Sequence, residues 1–366
     1  MKKYLVGLVS ILTIFGVSLY VTGCSSDDSG TSSSSYSGPG SQWNVTLNGD
    51  NTFVITRADT VGGAVVLTVN GTYTSLSAGY LKLTVSSATG TDAPAAGEIA
   101  YALNIPGFVF MLKPMSNDGE IIPMITSGTC PTSTMNLNWM VTSHEASGQG
   151  ADLSTNKDLV GTASFNGSDT MTLPSKFDLQ GNSLTAGDSM AGTCANGIIS
   201  LPDDDANIWL SASGAALVQV MNGSRESAIV AMPQSTLTAA SDLDGEYYGI
   251  LFNEAVDENS ESETAPIYMD VTNGVGTAGE FTDVDNATKD TVNTVSFNFA
   301  SNVNSPANGF VSGTLTSGSD TTPMTCQTTT NVNGSGKNLM FCVGVDPDNY
   351  TNGSKDELYT VILLSK

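Results

Sequence analysis

The chain has 366 residues, with 36 Asp and Glu against 12 Lys and Arg, and a formal net charge of −24. That balance repels nucleic acid and anionic headgroups, and the single histidine, His144, excludes a histidine-rich metal cluster. Only 13% of residues are charged, so the acidity reflects scarce Lys and Arg, and the Ser, Thr, Asn and Gly that carry the polarity suit β-sheets with many turns.

The chain opens with Lys2 and Lys3, then an apolar run from Tyr4 to Val21, the order of parts of an export signal. About 18 apolar residues rising about 1.5 Å each could nearly cross a hydrocarbon core of roughly 30 Å. The ending Val21-Thr22-Gly23-Cys24, followed by Ser25, Ser26, Asp27 and Asp28, favours cleavage over an uncleaved span. This ending resembles the lipobox of bacterial lipoprotein precursors. The resemblance implies a cut between Gly23 and Cys24, a diacylglycerol on the Cys24 thiol and acylation of the new amino terminus. One acyl chain holds a protein marginally and two or more hold it stably, so a triacylated Cys24 is a lasting anchor. Losing Lys2 and Lys3 with residues 1–23 takes the mature chain to −26. Ser25 and Ser26 lack the acidic residue that in some bacteria signals inner-membrane retention, which points to the outer membrane, on its periplasmic or surface side.

Residues 24–41 comprise the lipidated cysteine and a Ser/Gly-rich stretch with a composition that cannot bury apolar surface, so they are expected to form a disordered tether. A coil of about 16 such residues spans roughly 20 to 25 Å.

Beyond it, period-two alternation recurs in short runs such as Trp43 to Leu47, Tyr80 to Val85 and Val295 to Phe299. Asn-Gly pairs begin at Asn48, Asn70, Asn166, Asn196, Asn222, Asn273, Asn308, Asn333 and Asn352, and this pair best accepts the positive φ of tight hairpins. No long stretch keeps a helical period. The expected fold is all-β, antiparallel β-sandwich or barrel domains, with helix confined to short pieces. Alternation stops at Pro233 and resumes at Leu243, which divides the chain into an N-terminal β-domain, 42–235, and a C-terminal barrel or sandwich, 240–366. Segments beginning Val69-Asn-Gly71, Leu159-Val-Gly161 and Leu243-Asp-Gly245 offer a weak sign of repeated β-units. Leu243 to Gly249 also resembles the opening strand of lipocalin-like barrels, with tyrosine at the position of that family's tryptophan.

Besides Cys24 there are Cys130, Cys194, Cys326 and Cys342, and an even count in an exported protein implies two disulfides. Cys326 and Cys342 lie equidistant from Gly334, so a hairpin centred there sets them opposite each other, within disulfide range. Cys130 then pairs with Cys194 by elimination. A four-thiolate zinc site would want a Cys-x-x-Cys pair, which the sequence lacks.

Catalytic motifs are scarce. His144 sits in Thr142 to Gly148, which reads as a polar loop. Gly187-Asp188-Ser189-Met190 is superficially similar to the nucleophile block of GDSL-type hydrolases, but no histidine follows residue 144, and the match reads as a turn. Carboxylates abound, and a glycosidase-like pair needs only convergence to about 5 to 10 Å. Asp203-Asp204-Asp205, Asp283-x-Asp285 and Asp346-x-Asp348 gather hard oxygen ligands of the kind calcium takes, though none completes an EF-hand and exposed acidic turns explain them. No cofactor is expected, with calcium the one weak candidate, and the metal ligands are unassigned. Glu254 to Glu263 reads as a solvated acidic loop. Trp139, Trp209, Tyr247 and Tyr248 fit core positions better than a ligand cleft. The dense apolar passage Ile105 to Leu112 with Ile121 to Ile125 fits two buried strands, or else a groove for a lipid or peptide strand.

The sequence thus describes an exported, lipid-anchored envelope lipoprotein, a noncatalytic binding, adhesion or scaffold module held to the membrane through Cys24, with a protein or small-molecule ligand unidentified. The rival is a cell-surface hydrolase acting on glycans through paired carboxylates.

Overall fold

The computed structural model describes residues 33–38, 42–60, 62–76, 79–105, 109–113, 122–144, 159–184, 187–202, 206–222, 225–253, 263–345 and 358–366. Segment 1–23, Cys24, Asp203 to Asp205, residues 254–262, Asp346 and Asp348 lie outside them. The described regular structure is antiparallel β throughout, with short 3-10 turns at Ala240–Leu243 and Val332–Gly334.

The first sheet is a closed meander of eight strands: β1 (Ser34–Ser37), β2 (Trp43–Leu47), β3 (Thr52–Ala58), β4 (Val65–Ser75), β5 (Tyr80–Gly90), β6 (Ile99–Ile105), β7 (Val109–Lys113) and β8 (Ile122–Ile125). Ser37 opposite Ile125 makes the seam, and closure leaves no free edge. Alternation explains the filling: Val45 and Leu47, Phe53 and Ile55, Leu81, Leu83 and Val85, and Phe110 and Leu112 pack together inside. Asn70-Gly71 is not a turn. It is a bulge in β4, where a Cβ at Gly71 would lie 2.2 Å from the Thr84 carbonyl and 2.5 Å from the Phe53 ring, so only glycine lets that ring lie flat on the wall.

Strand β1 falls inside the stretch expected as tether. Tyr36 is 1% exposed, its ring lies 5.6 Å from Phe110, and its hydroxyl donates to Asn104 Oδ1 at 2.8 Å. Average composition hides one aromatic among serines, and that aromatic orders the strand. Only residues 25–32 then lie between Cys24 and the described structure.

The second sheet comprises β9 (Met135–His144), β10 (Val160–Phe165), β11 (Thr170–Phe177), β12 (Asp188–Ala191), β13 (Thr193–Ala195), β14 (Ile198–Leu201), β15 (Ala206–Leu210), β16 (Ala216–Asn222) and β17 (Arg225–Pro233). Its order, β12-β11-β10-β9-β17-β16-β15-β14-β13, puts β12 and β13 at opposite ends. Those two strands are consecutive in sequence, joined by Gly192 alone, so the sheet returns on itself through one bent strand. A Cβ at Gly192 would lie 2.7 Å from Leu201 Cδ2, so the Leu201 side chain packs closely over the bend. Phe165, Met171, Ile199, Leu201 and Ile208 are buried within this unit.

The third sheet comprises β18 (Gly245–Asn253), β19 (Glu263–Thr272), β20 (Val275–Asp283), β21 (Thr288–Lys289), β22 (Val295–Asn298), β23 (Phe310–Ser317), β24 (Asp320–Thr329), β25 (Leu339–Val345) and β26 (Leu358–Ser365). Strand β18 pairs with both β19 and β26, and the β19–β20 pairing completes a ring to which β21 is a short appendix. Tyr247, Met269, Phe297, Phe299, Met324 and Met340 fill its interior. Asn273-Gly274 turns β19 into β20 with φ of 49° and 78°, and Asn196-Gly197 turns β13 into β14 with 52° and 77°, the two positive values a type I′ hairpin needs.

Stretch 42–235, whose number of β-units the sequence leaves open, holds the strands of two sheets; the second sheet ends at Pro233 and the third begins at Gly245. The three aliphatic-x-Gly starts mark no repeat: Gly71 sits in a bulge, Gly161 is the second residue of β10, and Gly245 opens β18.

The disulfides are Cys130–Cys194, Cα atoms 5.8 Å apart, and Cys326–Cys342, 3.9 Å apart. These are the pairs expected from the sequence, and Cys326 stands directly opposite Cys342 on β24 and β25. Cys130 lies in the linker between the first two sheets, so its bond clips that linker to β13.

One apolar cluster runs through all three units. It takes Tyr80, Leu103, Ile105, Val109 and Ile125 from the outer wall of the first barrel and Tyr248, Ile250, Phe310, Phe341 and Ile362 from that of the third. Around them are both faces of central β9 and β17, where Trp139, Met140 and Val141, and Val230, Ala231 and Met232, are consecutive buried residues. The dense apolar passage is thereby explained: Phe110, Leu112 and Met124 fill the barrel while Ile105, Val109 and Ile125 pack outward. Polar bonds cross the same junctions. The Tyr80 hydroxyl donates to the Gly249 carbonyl at 2.8 Å, Asn138 Nδ2 to the Asn308 carbonyl at 2.7 Å, and Thr325 Oγ1 to the Leu179 carbonyl at 3.2 Å. Burial pushes the Tyr80 phenol far above its ordinary value, which keeps it a neutral donor.

Phe110→Ala, at a fully buried position, is expected to cost about 3–5 kcal/mol by denaturant titration; a loss below about 1 kcal/mol would contradict a filled first barrel. Peptide mapping without reduction should return the two cysteine pairs above, and a Cys194–Cys326 fragment would contradict the pairing.

Candidate functional site

Among the described residues, those singled out from sequence do not converge. His144 is the last residue of β9, its backbone paired with Ser227, and not part of a loop. Asp188 to Met190, from the Gly-Asp-Ser-Met block, belong to β12, where the Asp188 carboxylate meets Lys176 at 2.8 Å. Trp139, Tyr247 and Tyr248 are buried, and Trp209 packs against the shared cluster, so none lines a cleft. Asp283 caps a turn, accepting from the Asn286 amide at 3.1 Å and Asn286 Nδ2 at 2.7 Å. Asp285 is engaged by Lys82 and by the Tyr101 hydroxyl across the junction between the first and third barrels. The calcium candidate at this pair is thus a turn plus an inter-barrel ion pair. Among the described residues no three His, Cys, Asp or Glu side chains gather as a metal site would require.

Among the described residues, two carboxylates are opposed on the outer wall of the third barrel. Glu246 and Asp270 are directly opposed on β18 and β19, and Lys289 reaches both, at 2.9 and 2.7 Å. Lys366 adds a second ammonium 3.1 Å from Glu246. The hydrogen bond from Lys289 is the main cause that holds Glu246 down at about 2. Burial opposes the charge on Lys289, but its bonds to Asp270 and Glu246 more than offset this and leave its pKa raised. The ammonium also lies 4.6 Å from the centroid of the Tyr268 ring. A general acid for glycoside cleavage needs the opposite shift, a carboxyl kept protonated near neutrality. This group is an ion network.

A groove of about 540 Å³ lies lower on the same barrel, where its wall meets the second unit. Strands β22, β23 and β24 supply two cross-strand rows of the lining: Thr316 and Thr321 form one, and Asn298, Thr314 and Pro323 the other. Phe297 and Leu315 alternate with them and point into the barrel, so these polar side chains face outward. Leu179 and Gln180 of the second unit form the opposite wall. They are held by the Thr325 bond to the Leu179 carbonyl and by Asp178, which accepts from the Asn182 amide at 2.8 Å and its Nδ2 at 2.9 Å. The groove lining contains no charged residue. Sequence reasoning missed this site. The outward Thr alternation is visible locally, but the second wall comes from residues more than a hundred positions upstream, and no local signal joins them.

No family model matches the chain, and no curated protein matches it by sequence. The solved structures similar to it include transferrin binding protein B. The isotype 1 protein from serogroup B Neisseria meningitidis is 10% identical, with 88% of this chain and 65% of that one covered, at a TM-score of 0.27. A single mutant of the Haemophilus parasuis Hp5 protein is 10% identical, with 88% and 66% covered, at 0.30. A double mutant of it is 9% identical, with 88% and 65% covered, at 0.27. The chain spans just under two thirds of the length of those proteins. At these TM-scores the likeness assigns no ligand.

The Glu246 shift fixes an acid response. Its folded value, about 2, lies below the ordinary 4.5, so its contribution to stability is present above about pH 4.5 and is lost as pH falls from there towards 2. Unfolding midpoints measured across that window should fall less steeply for Glu246→Gln than for the wild type; identical slopes would contradict the network.

Proposed function

We propose that the protein is an exported bacterial envelope lipoprotein, lipid-anchored through Cys24, that works as a noncatalytic binding or scaffold module. In this reading residues 1–23 are the cleaved signal, Cys24 to about residue 33 the anchor and spacer, and 34–125, 135–233 and 245–365 three β-units standing close to the lipid surface. The outer membrane is the assigned location, on the lipobox residues and on Ser25 and Ser26 after the cysteine.

The observation that carries the noncatalytic reading is that the barrel interiors are filled by side chains. A filled barrel offers no internal chamber, and contact with a ligand falls to the outer walls and their junctions. The hydrolase reading needs a carboxyl pair with divergent acidities, whereas the opposed pair at Glu246 and Asp270 is neutralised by the same lysine. Among the described residues, no helix is long and apolar enough to cross a membrane.

Metabolic labelling with radioactive palmitate tests the anchor. The full-length protein should take up label and fractionate with membranes, and Cys24→Ala should abolish both. Label retained by Cys24→Ala would overturn the assignment.

A further inference from the structure

We propose that the uncharged groove between the third barrel's outer wall and the Leu179–Gln180 turn binds a neutral oligosaccharide. The inference rests on the reading of the protein as a binding module and names the ligand class for it. On a chain of net charge −24, this 540 Å³ recess is lined by Thr, Ser, Asn and Gln together with Leu179, Gly313 and Pro323, and carries no ionisable side chain. A cationic ligand would find no counter-charge in it. An apolar one would have to desolvate hydroxyls and amides without replacing their bonds.

The opposed pairs Thr316–Thr321 and Asn298–Thr314 set the Cβ atoms that carry these hydroxyls and the amide about 4.5–5.5 Å apart across the strands. Each hydroxyl can donate and accept, and each amide does both. A chain of neutral sugar rings presents the complementary array, hydroxyls that donate and accept at intervals of similar length. Gln180 adds a longer, exposed amide to the lining from a turn whose Leu179 carbonyl is held by Thr325. The site needs both units, so it exists only while the junction between them holds.

The test uses the full lipidated chain in liposomes, titrated calorimetrically with cellotetraose, chitotetraose, maltotetraose and mannotetraose, and with heparin as a polyanion. Saturable binding of at least one neutral tetrasaccharide is expected, with an affinity that changes less than twofold between 50 and 500 mM salt, because no ion pair takes part. Thr314→Val with Thr316→Val keeps the β-branched shape and removes two hydroxyls; it should weaken binding at least tenfold, while Thr56→Val on the first barrel leaves it unchanged. Saturation by none of the four, loss of binding at high salt, preference for heparin, or indifference to the double valine variant at an unchanged melting temperature would each overturn the proposal. Anchoring is read separately: a groove that fails while Cys24 is still lipidated leaves the membrane-held module standing, and sugar binding without lipidation leaves the groove standing.

Discussion

The structure depends on a shared apolar junction. The first and third barrels each have an interior of their own, and their walls that face the second unit are apolar as well. Tyr80, Ile105 and Val109 from the first unit, both faces of β9 and β17 from the second, and Ile250, Phe310 and Phe341 from the third form one cluster. Burial of apolar surface contributes roughly 25 cal/mol per Å², which makes a junction of this kind hard to pull apart. The polar bonds that cross it, from Tyr80 to Gly249 and from Asn138 to Asn308, fix its register, since a shift would leave buried donors and carbonyls unpaired.

That junction organises what the molecule can do. It holds the Leu179–Gln180 turn against the wall of a barrel formed by residues well over a hundred positions later, so the groove is a product of assembly between units. It also leaves the barrels full, so recognition happens on outer walls.

Much of the fold was legible in the sequence. Alternation in Trp43 to Leu47 and Val295 to Phe299 marked real strands, and the spacing about Gly334 set Cys326 opposite Cys342. Three features were not legible. Tyr36 was lost in an average over serines, although one buried ring was enough to order β1. Asn70-Gly71 has the signature of a turn, but the glycine is required for close approach of Phe53 and the pair lies in a bulge. The division of 42–235 into two sheets depends on which strands close on which, and alternation cannot report pairing partners. The candidate groove was invisible for the same reason, since its walls meet only in three dimensions.

Differential scanning calorimetry of the disulfide-intact protein tests the shared junction most directly. A single cooperative transition, with calorimetric and van't Hoff enthalpies in agreement, is the predicted result. Two or three separable transitions, one for each sheet, would contradict the account, because units joined by a common core cannot lose their packing independently.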